Sequence, residues 1–60
     1  MTTFEVLRLE TNGSRTLLGG FATEPDAEAE LAAINAAWDE GAGCWVDDTG
    51  ARYVIDKAVG

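Results

Sequence analysis

Residues 23–41, TEPDAEAELAAINAAWDEG, decide how the rest of the chain is read. Thr23 can accept a hydrogen bond as an N-cap, Pro25 suits the first turn, and Asp26 stands where a capping box places its acid. From there Ala27, Leu31, Ile34 and Trp38 recur at i, i+4, i+7 and i+11. At 100° per residue these four fall within one narrow stripe. Alanine fills much of the remainder and favours helix, and Gly41 is the natural stop. The pattern predicts one amphipathic helix of about four turns.

On the N-terminal side, Phe4-Glu5-Val6-Leu7-Arg8-Leu9-Glu10 alternates as a strand does. Asn12-Gly13 follows, a signature of the two-residue type I′ turn, and residues 15–21 would return. With Thr11 opposite Ser14, Glu10 faces Arg15, Leu7 faces Leu18 and Phe4 faces Phe21, giving one ion pair and one aromatic pair. On the C-terminal side, Cys44-Trp45-Val46-Asp47, a turn at Thr49-Gly50 and residues 52–57 read as a second hairpin with Asp47 roughly opposite Arg52. That turn fits either two residues or three with a bulge at Gly50, and a one-residue slip exchanges the faces. The expected fold class is α+β: a ββαββ plan, an antiparallel sheet of two hairpins covered by one amphipathic helix, as a single acidic domain over residues 1–60.

A lone helix covers one face of a sheet, yet apolar residues fall on both. The expected registers place Phe4, Val6, Leu17 and Phe21 on one side and Leu7, Leu9 and Leu18 on the other. The second hairpin splits Val46, Tyr53 and Ile55 from Trp45 and Val54. Either strong twist folds both sets inward, or some apolar surface remains for a partner.

Composition removes most functions. The chain has 60 residues, 11 acidic against 4 basic side chains, no histidine, a formal net charge of -7 and an apolar fraction of 47%. That length leaves no room for a deep pocket, and the apolar fraction is that of a folded domain. No apolar run approaches a membrane span, and the N-terminus lacks a basic-then-apolar signal segment, so a soluble cytoplasmic protein is expected. A single cysteine, Cys44, cannot form an internal disulfide. Without histidine, four-ligand zinc sites and imidazole acid–base catalysis are out of reach.

The remaining chemical motifs have plainer readings. Asp48-Thr49-Gly50-Ala51 resembles the aspartate motif of retroviral-type aspartic proteases, but the chain is too short for that fold, and Thr-Gly is what a tight turn wants. Leu17-Leu18-Gly19-Gly20 resembles a ubiquitin-like tail inside the chain, where its glycines mark a bulge or close packing instead. Cys44 has no activating neighbour in sequence, and Asp47-Asp48 lacks the spacing of a calcium loop. No enzymatic activity, cofactor or metal is expected.

The acids carry the functional signal. Glu24, Asp26, Glu28 and Glu30 crowd the helix start, where the macrodipole welcomes them. Asp39 and Glu40 fall at the expected helix C-terminus, where the same dipole disfavours negative charge, and Asp47, Asp48 and Asp56 follow with only Arg52 and Lys57 nearby. Such a domain is repelled by nucleic acid and anionic membranes and drawn to basic surfaces. Mimicry of DNA phosphates, an ordinary acidic adaptor, and adaptation to high salt all fit this balance.

As a whole chain the sequence resembles the very small acidic anti-CRISPR proteins of phages and mobile elements, in particular those directed at type I-C systems. Its size, single-helix α+β plan and the acids through Asp39-Glu40 and Asp47-Asp48 carry the likeness. The resemblance implies a cytoplasmic inhibitor in a bacterial host that occupies the basic surface of a surveillance complex where target duplex binds. On electrostatic grounds the partner-binding residues are expected to be Glu28, Asp39, Glu40, Trp45, Asp47, Asp48 and Asp56, with Trp45 as apolar anchor. No direct nucleic-acid or membrane binding is expected, and the protein should be a monomer or weak dimer. The alternative is a small interaction module, an adaptor, antitoxin-like partner or phage accessory subunit, acting through an exposed sheet face or edge.

Overall fold

A computed structural model describes residues 2–59. The elements run β1 (Thr2–Leu9), β2 (Arg15–Phe21), α1 (Glu24–Ala33), β3 (Ala37–Asp39), β4 (Cys44–Val46) and β5 (Arg52–Val59). The five strands form one antiparallel sheet in the order β2-β1-β5-β4-β3. The α+β class with one helix stands; the plan has five strands rather than the expected four.

The extra strand comes from an early helix stop. Thr23 caps α1 as read, its hydroxyl accepting from the Asp26 amide at 3.3 Å. The helix nevertheless ends at Ala33, because Asn35 adopts a left-handed φ of 63°. The Asn35 amide donates to the Ala32 carbonyl at 3.1 Å and the Ala36 amide to the Leu31 carbonyl at 2.9 Å. These two bonds are the Schellman pair that closes a helix, and asparagine is among the few residues besides glycine that enter this conformation readily. The chain then extends, so Trp38 leaves the predicted stripe for β3, and Asp39 and Glu40 are not at a helix C-terminus.

Both long-strand turns take the three-residue form with a left-handed glycine. In the first, the Glu10 amide donates to the Ser14 carbonyl at 2.8 Å and the Gly13 amide to the Glu10 carbonyl at 3.1 Å, with Gly13 at φ 89°. In the second, the Asp47 amide donates to the Ala51 carbonyl at 3.0 Å and the Gly50 amide to the Asp47 carbonyl at 3.1 Å, with Gly50 at φ 88°. The extra turn residue corrects the expected registers. Leu9 rather than Glu10 faces Arg15, and Val46 rather than Asp47 faces Arg52. Phe4 does face Phe21, because the β1–β2 register shifts between Val6 and Leu7, leaving Leu18 unpaired beside Gly19. This is the bulge that the adjacent glycines suggested, and Leu17, not Leu18, faces Leu7.

Paired residues project to the same face of a sheet, so these registers also settle the faces. Phe4, Val6, Trp45, Tyr53 and Ile55 share one face. Of these, Val6 and Tyr53 join Ala27, Leu31 and Ala36 in the buried core, where α1 packs over β1 and β2. Leu7, Leu9, Leu17, Val46 and Val54 share the other face, which no described element covers. Leu17 and Val46 therefore stand opposite to where the shorter turns would have put them, and Trp45 joins Tyr53 instead of Val54. Among the described residues, Leu31 and Val6 are the only large side chains wholly enclosed. A core this small supplies at most about 3–5 kcal/mol, so small terms matter here.

Candidate functional site: an acidic end and an aromatic groove

The helix carries its acids in two rows. With Ala27 and Leu31 turned to the core, a 100° step puts Glu24 and Glu28 on one flank and Asp26 and Glu30 on the other. Each row is a like-charge i,i+4 pair, unfavourable by about 0.2–0.5 kcal/mol. No basic residue lies in the last turn to offset them. The helix dipole favours the acids of the first turn only, Glu24 and Asp26.

The strand directions place more carboxylates near the helix start. Phe21, which leads into α1, lies beside Phe4, so α1 begins at the end of the sheet holding the start of β1 and the end of β5. At that end Glu5 stands directly opposite Asp56 across β1 and β5. Directly opposed like charges destabilise a ladder, yet neither is buried and neither has an ion-pair partner among the described residues. The β3–β4 turn points the same way and contributes Asp39 and Glu40, both exposed. Asp39 also holds its own turn: its Oδ1 accepts from the Gly41 amide at 2.9 Å and the Ala42 amide at 3.1 Å.

Asp47 and Asp48 lie at the other end. The β4–β5 turn sits beside the β1–β2 turn, because Leu9 pairs with both Arg15 and Arg52. Three of the four basic residues, Arg8, Arg15 and Arg52, gather there around a hollow of about 820 Å³. The Arg8 guanidinium donates to Glu10 Oε1 at 2.8 Å, the single ion pair among the described residues, and holds the Glu10 carboxyl below its ordinary value with help from the Thr16 hydroxyl.

Asp47 works as a turn clamp. Its Oδ1 accepts from the Thr49 amide at 2.9 Å, the Thr49 hydroxyl at 2.7 Å and the Ala51 amide at 3.0 Å. Its Oδ2 accepts from the buried Tyr53 hydroxyl at 2.7 Å. These donors, Tyr53 foremost, bring its pKa down to about 2, and the bond raises that of Tyr53 in turn. The expected recognition set is thus divided: Glu28, Asp39, Glu40, Trp45 and Asp56 belong to the acidic side, whereas Asp47 and Asp48 sit among arginines with Asp47 fully engaged.

Between the helix and the short strands lies a groove of about 450 Å³, lined by Glu24, Glu28, Trp38, Gly43, Trp45, Val54 and Ile55. Trp38 and Trp45 face each other across β3 and β4, with ring centroids 5.9 Å apart and planes at 72°. Trp45 backs onto the core, while Trp38 is 54% exposed. Trp38, Glu24 and Glu5 were missed as site residues. The first was assigned to the helix interior, the second was explained by the dipole, and the third became visible only through its register with Asp56.

Cys44 is buried and in no disulfide. Among the described residues no group of His, Cys, Asp or Glu is placed to hold a metal ion, and no helix is long and apolar enough to cross a membrane. Set against protein-family models, curated proteins and solved structures, the chain finds no match in any of the three.

Proposed function

We propose that the protein is a non-enzymatic inhibitor acting in the bacterial cytoplasm, binding the basic surface of a CRISPR surveillance complex and excluding target DNA by offering carboxylates in place of phosphates. The observation that carries this reading is the uncompensated charge of one end of the fold. Glu24 and Asp26 stand there on the helix, and Glu5 and Asp56 project from the uncovered sheet face at the same end. Asp39 and Glu40 lie at the β3–β4 turn that points the same way, with Lys57 alone to offset them all, while the arginines occupy the opposite end. Such a surface repels nucleic acid and is steered toward a cationic cleft. The choice of a CRISPR complex as target follows from the whole-chain resemblance to small acidic anti-CRISPR proteins.

The test is competition for target duplex on a purified type I-C surveillance complex. The wild type should displace DNA, and its affinity should fall steeply as salt rises, since each carboxylate–cation contact is screened. Glu40→Lys should weaken inhibition at least tenfold, whereas Asp48→Lys, at the arginine end, should leave it nearly intact. Loss from Asp48→Lys with none from Glu40→Lys, or a flat salt response, would defeat this reading.

The uncovered sheet face supports a second one. Leu7, Leu9, Leu17, Val46 and Val54 form an apolar band there, with Leu17 58% exposed. An interaction module would pair through that band. A tight dimer by size-exclusion chromatography, lost on Leu17→Glu, would favour it over the inhibitor.

A further inference from the structure

The aromatic groove has the chemistry of a guanidinium seat. Two indole rings set at 72° form two walls of a corner, and Glu24 and Glu28, one turn apart on the facing flank of α1, line the same space. No basic side chain of the protein lines it. Trp38 adds little to the core: it meets Trp45 edge to face and leaves more than half its surface in water. An exposed tryptophan beside two carboxylates that have no ion-pair partner among the described residues is favourable against a cation.

We infer that this groove receives an arginine side chain from the basic partner surface, its guanidinium plane stacked on an indole face and its N–H groups directed at Glu24 and Glu28. Charge complementarity commits the occupant, and the planar walls select arginine over lysine. A guanidinium is flat, weakly hydrated and able to stack while donating in its own plane, whereas an ammonium is a compact, strongly hydrated point charge. The inference rests on the acidic-inhibitor reading for its partner, and it adds the side chain the partner must offer.

Tryptophan fluorescence tests it directly, with hexa-arginine and hexa-lysine peptides titrated into the full chain at low salt. Hexa-arginine should perturb the emission and bind at least fivefold more tightly than hexa-lysine. Glu28→Gln should weaken hexa-arginine binding about threefold, and Trp38→Leu, which keeps an apolar residue on β3, about fivefold. Circular dichroism on both variants confirms that the sheet persists. Equal affinity for the two peptides, or unchanged hexa-arginine affinity in both folded variants, would overturn the inference. In that event, if the wild type still displaces DNA from the surveillance complex, the acidic-inhibitor reading survives and only the arginine seat is lost. If the wild type displaces no DNA while hexa-arginine binds as expected, the partner reading falls and the groove's preference stands.

Discussion

Replacing Asn35 separates the observed helix end from the longer helix by the sign of the effect. At φ 63° Asn35 sits in the left-handed region. An alanine there carries a penalty of roughly 1–2 kcal/mol, part of which asparagine already bears, so Asn35→Ala should destabilise by about 1 kcal/mol. Glycine is strain-free in this conformation, and despite its floppier unfolded chain Asn35→Gly should be neutral or stabilising by a few tenths. A helix running on to Gly41 reverses both signs. Asn35 would then be an interior position, where alanine gains about 0.5 kcal/mol and glycine loses a few tenths. For a domain of 60 residues, 1 kcal/mol corresponds to a Tm shift of about 8 °C. Thermal unfolding followed by far-ultraviolet circular dichroism resolves that easily. A higher Tm and stronger helical signal in Asn35→Ala would refute the Schellman stop, and with it the position of Trp38 opposite Trp45.

Two further perturbations probe the acids by opposite logic. Tyr53→Phe removes the donor to Asp47 Oδ2 and should lower stability by about 1 kcal/mol in urea unfolding. Because the folded pKa of Asp47 is depressed to about 2, its stabilising contribution is full above the ordinary carboxylate range near pH 4 and drains away as pH falls from there toward 2. Stability in Tyr53→Phe should be visibly flatter across that window, and an unchanged acid limb would remove Asp47 as its source. Asp56→Lys turns the Glu5–Asp56 like-charge pair into an opposite-charge one, so it should raise stability by about 0.5 kcal/mol while weakening inhibition of DNA binding. Stability and inhibition falling together would make Asp56 a structural residue.

What the sequence made legible is what local chemistry decides. Thr23 as N-cap, the helical run through Leu31 and the two long hairpin strands follow from residues within one turn or one strand of each other, whereas Phe4 meets Phe21 only because the bulge offsets the extra turn residue. Two competing stops hid the rest. Asn35 and Gly41 can each end a helix, and the periodicity of Ile34 and Trp38 favoured the later one; packing of Ala36 against Leu31 settles it at Asn35. Likewise Asn12-Gly13 suits a two-residue turn, but Asn12 Oδ1 accepts from the Ser14 amide and hydroxyl, closing a local turn that leaves only glycine left-handed. The extra turn residue exchanged one face in each hairpin, and how the acids divide between the two ends lies beyond any local reading. Only the strand order shows that Asp47 and Asp48 stand apart from Asp39, Glu40 and Asp56.

The energetics explain why that division bears on function. The rows Glu24/Glu28 and Asp26/Glu30 and the Glu5–Asp56 pair repel by about 0.6–2 kcal/mol, which the helix dipole offsets in part at Glu24 and Asp26, against a core worth at most roughly 3–5. Where an acid serves the fold here it shows it: Asp47 accepts four hydrogen bonds, and Glu10 holds Arg8 and Thr16. At the opposite end Asp39 holds its turn and the helix dipole favours Glu24 and Asp26, but Glu5, Glu40 and Asp56 have no such use, and a solubility coat would intersperse them with lysine. Gathering like charges on one end while sending the arginines to the other maintains an electric asymmetry that the fold itself does not need. On the proposed reading a cationic partner turns that internal repulsion into attraction on contact, and inhibition should then depend on the acidic end and the groove beside it rather than on the turn aspartates.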